Sequence, residues 1–343
     1  MPADGHSSRT LPVSIVMPVR NGAATLAAAM ESVRAQTFRD WELIVVDDHS
    51  TDDTPRMLAD LAGADPRIQV LPSRSQGIAH ALETGCAAAR GEWIARMDAD
   101  DVMHPDRLER QLAHARSHPD LGLVSCMVRY GGNQTGYAAH VEWLNSLDSP
   151  EMIAIRRFVE APVAHPSVMF RRSLLDTHGG YRYGDFPEDY ELWLRWLAAG
   201  VRFGKAPEAL LLWNDPPDRL SRTDPRYSVE AFYRIKCLHL LEWIASSVCS
   251  GRKVLLWGAG RVTRRRFDSL ETNGFRFDGF IDIDPRKIGF HRDGRRVIFP
   301  HEIPESPRPF VLVGVGNRGA GALIHRELVG RGWREGVDFV MCA

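Results

Sequence analysis

The chain has 343 residues, enough at roughly 100–200 per domain for two domains. Its 44% hydrophobic and 25% charged residues exclude a disordered chain, a fibrous repeat and a small disulfide-stapled scaffold. The net charge of −1 argues against a whole-chain polyelectrolyte binder, yet it sums two opposite parts. Residues 251–343 hold 17 Lys+Arg against 11 Asp+Glu, a net of +6, and residues 1–250 hold 26 against 33, a net of −7.

The five cysteines (Cys86, Cys126, Cys237, Cys249, Cys342) are odd in number, form no CxxC pair and match no zinc spacing. A reduced, cytoplasmic setting is the simplest expectation. The first dozen residues are polar and carry no apolar core of a signal peptide. No run approaches the roughly 18 apolar residues that a transmembrane helix needs.

In chain order, Val13–Val19 is a β-branched apolar run that predicts a buried parallel strand. Ala23–Ala35 has helical spacing. Trp41–Val46 predicts a second strand that stops at Asp47-Asp48. Thr51–Leu61 predicts a helix with Asp52 and Asp53 placed to cap it. Ile68–Leu71, Ile78–Ala89 and Trp93–Met97 continue as strand, helix and strand, the last ending at Asp98-Ala99-Asp100-Asp101. Strand–helix alternation with short links implies a mostly parallel sheet flanked by helices. Farther on, Leu121–Arg129 and Val168–Arg171 read as strands, Tyr190–Ala199 as an amphipathic helix, Pro216–Pro225 as loop and Ser228–Ser246 as a long helix. Cys249-Ser250-Gly251 is the expected boundary between a domain at 1–250 and one at 251–343. The pattern then restarts, with strands at Lys253–Trp257, Phe277–Ile283 and Phe310–Val315 and helices from Gly260 to Leu270 and near Leu323–Gly330.

In an open α/β sheet, ligands bind outside the carboxyl ends of the strands. Two acidic clusters fall there, Asp47-Asp48 and Asp98–Asp101. Crowded carboxylates repel one another, and a cation completed by phosphate oxygens relieves that repulsion. Mn²⁺ or Mg²⁺ suits an all-oxygen site. Aspartate at a strand end is also ordinary turn chemistry, but the pair of clusters is harder to explain that way.

At this point the residues carry a resemblance. VSIVMPVRNGAATLAAAMESVRAQTFRDWELIVVDDHSTDDT resembles the opening of family 2 glycosyltransferases of the GT-A fold. GEWIARMDADDVMHPDRLERQL resembles that family's DxD segment, and FPEDYELWLRWLAAG its ED-containing segment. The three occur in family order and cover roughly residues 12–225. The resemblance implies an inverting, metal-dependent transfer from a nucleotide sugar, a UDP-sugar being favoured, to an acceptor hydroxyl. It places Pro18, Arg20 and Asn21 near the base and ribose, Asp48 on the base with Asp47 in support, and Gly77 near the ribose. It makes Asp100 the direct metal ligand, with Asp98 on the ribose or on a metal-bound water, and Asp189 the general base. Asp101 is expected to cap the following segment. Glu188 either orients that base or serves as a favourable charge at the helix start. Trp193 and Trp196 are expected in the core, and His165 in a structural role. The chain departs from the family in carrying Leu82-Glu83 after Gly77, and Pro216 where a metal-binding His is common. Ser221 and Arg222 are retained, so either the metal is expected to rest on Asp100, water and the diphosphate, or Arg222 shares the charge.

The last 93 residues open with Gly258-Ala259-Gly260, which resembles a Rossmann turn without its third glycine, because Thr263 stands there. Asp282 lies where a ribose contact would be needed. A cofactor-free Rossmann-like module is the favoured expectation. Arg261, Arg264, Arg265 and Arg266 form a basic helix start, a solvated face or a surface for an anionic partner such as RNA. The module order resembles that of the eukaryotic tRNA-queuosine galactosyltransferase, which admits a glycan, a small molecule or a tRNA nucleoside as acceptor. Two other readings compete: an oxidoreductase or epimerase centred on Gly258–Gly260, and a non-catalytic nucleotide-binding protein.

Overall fold

The computed structural model describes residues 12–217, 219–245, 251–290, 293–317 and 319–343. Cys249 and Ser250, at the expected boundary, lie outside the described residues, as does Ser246 at the expected end of the long helix. In chain order the elements are β1 (Val13–Val19), α1 (Leu26–Arg34), β2 (Trp41–Asp47), α2 (Thr54–Ala64), β3 (Ile68–Pro72), α3 (Ile78–Ala88), β4 (Trp93–Arg96), β5 (Val102–Met103), α4 (Arg107–Ser117), β6 (Leu121–Tyr130), α5 (Thr135–Ser146), α6 (Pro150–Arg156), β7 (Met169–Arg171), α7 (Ser173–His178), α8 (Glu188–Ala198), β8 (Arg202–Trp213), α9 (Leu220–Thr223) and α10 (Val229–Trp243). They continue with β9 (Val254–Trp257), α11 (Arg261–Thr272), β10 (Gly279–Ile281), β11 (Gly289–Phe290), β12 (Arg296–Ile298), β13 (Phe310–Val313), α12 (Ala320–Gly330) and β14 (Phe339–Met341). Among the described residues no helix is long and apolar enough to cross a membrane.

The chain divides into two compact units. The first comprises residues 1–150, 163–183 and 199–219, and the second 151–162, 184–198 and 220–343. The first holds an eight-stranded sheet in the order β3-β2-β1-β4-β7-β6-β8-β5. β1, β2, β3 and β4 run parallel, whereas β7 is antiparallel to β4 and β6. Period-two alternation sorts β1. Ile15 and Met17 face α1 through Leu26, Met30 and Val33 in one cluster. Val16 faces α3, whose Gly85 leaves room for close contact with Val16 and Val46.

The second unit holds a six-stranded sheet in the order β11-β12-β10-β9-β13-β14, parallel except for β11. Its two faces bury separate clusters. One is built on Leu256, Phe267, Phe280 and Leu312 with α8 and α10, the other on Trp257, Ile281, Val313 and Leu328. Both sheets have the expected α/β character, a GT-A-like unit and a smaller parallel one. Two local expectations change. Part of the expected 216–225 loop is helical, as α9. Asp53 occupies the N-cap of α2 without a side-chain capping hydrogen bond, and Asp52 accepts from Thr54 N (3.0 Å) in its place.

One buried carboxylate ties the amino end of the first sheet together. Glu42 on β2 accepts from Ser14 Oγ (2.6 Å), Arg90 N (2.9 Å) and Arg90 Nε (2.8 Å). Burial would raise its pKa, but the hydrogen bonds from Arg90 and Ser14 hold the carboxyl below its usual range. Glu42→Ala orphans these donors and is expected to cost about 1–3 kcal/mol of unfolding free energy in urea titrations. Because the native pKa is depressed, this contribution is present above pH 4.5 and vanishes as pH falls through the native value.

Candidate active site

The carboxyl ends of β2, β1 and β4 lie side by side in the first unit, so their three following loops share one edge of the sheet. Pro18 is buried in β1, opposite Val46 of β2. Arg20 and Asn21 emerge from it exposed. Asn21 adopts a positive φ of 51° and clips the two loops together. Its N–H donates to Ser50 Oγ (2.9 Å), and its Oδ1 accepts from Thr51 N (2.8 Å). Asp47 accepts from Ser50 N (3.2 Å) and shapes the same turn. Asp48 is 5% exposed, and both of its oxygens lie 2.9 Å from Gly77 N. The structure thus brings together Asp48 and Gly77, two residues chosen from separate stretches of sequence. Gly77 has φ 126°, a conformation that side chains rarely adopt.

Beyond β4, Asp98, Asp100 and Asp101 can each offer an oxygen, all within 4.8 Å of one another. Asp101 is 1% exposed. Its Oδ1 accepts from Asn214 N (2.8 Å), and its Oδ2 is buried with no hydrogen-bond partner. It therefore does not cap the following segment, which is the short strand β5. An all-oxygen donor set with one orphaned buried oxygen fits Mg²⁺ or Mn²⁺. Burial and the neighbouring Asp98 push the Asp100 carboxyl up to about 6, and the same two causes raise Asp101 well above the usual range.

Two arginines that the sequence reading passed over stand beside these acids. Arg96, the last residue of β4, is 1% exposed and ion-paired with Asp98. Its carbonyl accepts from the buried Arg107 (2.9 Å). Arg219 lies on the ring faces of Trp213 (4.4 Å) and Tyr137 (4.9 Å) and pairs with the buried Asp215 at 3.7 Å. Asp215 in turn accepts from Tyr130 (2.7 Å). The loop carrying this pair is fixed to the acids through Asn214, whose Nδ2 donates to the Asp100 carbonyl (2.7 Å). Gly131-Gly132 admits that loop, because a Cβ on either glycine would collide with Asn214 or Asp215. The glycine pair after a strand was the available sequence signal.

In the second unit, Glu188 and Asp189 open α8. Glu188 is 2% exposed and accepts from Tyr227 (2.6 Å), so it is more than a helix-start charge. Asp189 is half-buried, with Oδ1 accepting from Tyr190 N (2.7 Å). Trp193 and Trp196 are fully buried and meet edge to face, in keeping with a core role. Arg222 and Ser221 are exposed on α9. His165, in the first unit, is buried and bonded to Tyr181 (2.8 Å), also as expected.

The turn at Gly258–Gly260 has its own answer to charge. Asp282 accepts from Ala259 N (3.0 Å), Asp284 N (3.0 Å) and Lys287 Nζ (3.0 Å). Of the four arginines on α11, Arg264 donates to the Ala259 carbonyl (3.1 Å), Arg265 faces Glu230 (3.5 Å) and Arg266 covers Tyr233 (5.1 Å).

Comparison with known proteins places this geometry. The family model described as glycosyl transferase family 2 matches residues 14–179. The putative glycosyltransferase EpsE of Bacillus subtilis is 32% identical over 223 residues, covering 64% of this chain and 78% of that protein. The chain spans less than two thirds of several other curated relatives. Among solved structures, S. aureus TarS in complex with UDP-GlcNAc superposes with a TM-score of 0.53 at 17% identity, over 69% of this chain and 68% of that one. The mannosyltransferase PcManGT of Pyrobaculum calidifontis, in complex with GDP-Man and Mn²⁺, gives 0.50 at 21% identity, over 69% and 65%. At these identities the structures speak for a shared fold.

The raised carboxyls carry a stability signature. In metal-free protein, the contribution of Asp100 is fully present below pH 3.8 and is lost as pH rises through about 6. Unfolding free energy is expected to drop by about 1–3 kcal/mol across that window. Asp100→Asn should flatten the drop in urea titrations run from pH 4 to 7.

Proposed function

Because the chain belongs to glycosyltransferase family 2, we propose that it moves a sugar from a nucleoside-diphosphate sugar, UDP-sugars first, to an acceptor hydroxyl with inversion at the anomeric carbon. The observation that carries this reading is the shared strand edge, with a base-sized acceptor at Asp48 and Gly77 and an acid cluster at Asp98–Asp101. Each Asp48 oxygen that takes the Gly77 N–H retains a second lone pair for a nucleobase N–H. Pro18, Arg20, Asn21 and Asp47 would line the nucleoside. Asp100 would ligate a divalent cation, with Asp98 and Asp101 beside it, and that cation would neutralise the leaving diphosphate.

In the reaction, the acceptor oxygen bonds to the anomeric carbon as the carbon–oxygen bond to the diphosphate breaks. The electron pair leaves with the diphosphate, and Asp189 takes the acceptor's proton. Glu188, held by Tyr227, would orient that end of α8, and Arg222 would add positive charge toward the diphosphate. In residues 251–343, the basic helix α11 is where an anionic acceptor would be sought. The TarS complex with UDP-GlcNAc and the PcManGT complex with GDP-Man and Mn²⁺ support testing both nucleotides and that metal first.

The test is a panel of UDP- and GDP-sugars with Mn²⁺, scored for donor turnover. Asp189→Asn is expected to lower turnover by about 10²–10⁴-fold while leaving UDP affinity within about twofold of wild type. Unchanged turnover in that variant, or no turnover of any donor, would sink the reading.

A further inference from the structure

Helix α5 gives little of its surface to the core. It buries only Val141 and Leu144, yet it carries Tyr137, His140 and Trp143 at three-residue spacing, each half-buried. Three residues fall about 60° short of a full helical turn, so this row walks off the buried face. The rings stay in contact along it. Tyr137 and His140 have centroids 5.5 Å apart, and His140 and Trp143 are stacked at 5.8 Å with 27° between their planes. From β8, Trp213 meets Tyr137 edge to face at 5.3 Å. Asn214, the next residue, donates from Nδ2 to the Asp100 carbonyl (2.7 Å) and from its N–H to Asp101 Oδ1 (2.8 Å). The aromatic shelf is therefore fastened to the acid cluster after β4, within the first unit.

Charge narrows what such a shelf can hold. Helix α5 has no lysine or arginine and one exposed carboxylate, Glu142. Arg219, which lies on the Trp213 and Tyr137 faces, is paired with the buried Asp215. Residues 1–250 carry a net of −7. A nucleic acid, whose affinity comes from Lys and Arg on its phosphates, finds no such partner on this helix. A neutral glycan offers no charge, and its handles are hydroxyls and the C–H face of each sugar ring. The negative face of an aromatic ring takes such C–H groups. Three residues advance about 4.5 Å along the helix, close to the span of one pyranose ring.

We infer that Tyr137, His140 and Trp143 form an acceptor shelf that takes the C–H faces of sugar rings in a neutral glycan chain. The inference rests on the nucleotide-sugar reading above and names the acceptor class for it. The three side chains are binding residues with no part in proton transfer. They hold the acceptor chain beside the acid cluster. An anionic acceptor drawn to the basic helix α11 is the rival, and the two call for acceptors of different charge.

The experiment applies the full chain, with UDP and Mn²⁺, to an array of neutral and acidic oligosaccharides, and titrates the retained glycans by calorimetry. Wild type is expected to retain neutral glycans. Trp143→Ala and His140→Ala are each expected to weaken that binding by about tenfold, with UDP affinity unchanged. Where a donor turns over, the loss is expected in KM for the glycan rather than in kcat. Thermal melts check folding, and if Trp143→Ala does not fold, His140→Ala carries the test. Retention of no neutral glycan, retention of acidic glycans alone, or equal affinity in the folded variants overturns the inference while UDP binding stands. If wild type does not bind UDP, the donor reading falls and the acceptor role falls with it.

Discussion

Three carboxylates at the end of one buried strand set the terms for the first unit. Like charges this close, partly withdrawn from water, cannot all remain ionised without compensation. The fold responds on each side of the cluster. A buried arginine comes from the strand itself, and an arginine on an aromatic shelf comes from the loop after β8. Arg107 then fixes the strand end from which Arg96 departs, and Gly131-Gly132 gives the loop its approach. These features lie far apart in sequence, yet each answers the same electrostatic demand.

The parts of this arrangement differ in how visibly they are written in the chain. β1, β2 and β4 are legible because strands buried on both faces are largely apolar, and each stops at a charged residue. Asp48, Gly77 and Asp100 are legible because strand ends and family motifs both point to them. The GT-A-like character of the first unit and its family follow from the same segments. Arg219 is not legible in this way. In the loop NDPPDRLSR, spacing gives no direction, and Arg222 sits in the recognised Ser-Arg pair. Only the Trp213 and Tyr137 rings, contributed by different elements, single out Arg219. Arg96 is hidden for another reason. Its side chain looks like an interruption of an apolar strand, and its meaning depends on Asp98 two residues later, on the same side of the strand. Helix α5 was also missed; it buries only Val141 and Leu144.

A different kind of illegibility concerns Asp282. Its distance from Gly260 is right for a ribose contact, and sequence spacing can say no more. Its partners are Lys287, which reaches back from the turn after β10, and two backbone N–H groups. Spacing reports where a carboxylate stands along the chain. It does not report which neighbour already occupies its lone pairs.

The two sheets therefore treat the same topological position in opposite ways. In each, an aspartate follows a buried parallel strand at the edge where open α/β sheets take ligands. In the second unit, one carboxylate meets one lysine and two N–H donors, and its charge is closed from within. In the first, Asp98 pairs with Arg96, Asp101 accepts from Asn214, and Asp101 keeps an oxygen buried without a donor. A buried orphan of this kind costs about 1–3 kcal/mol or more in a finished fold. Incomplete compensation, more than acidity itself, is what separates the acid cluster after β4 from a turn that happens to end in aspartate.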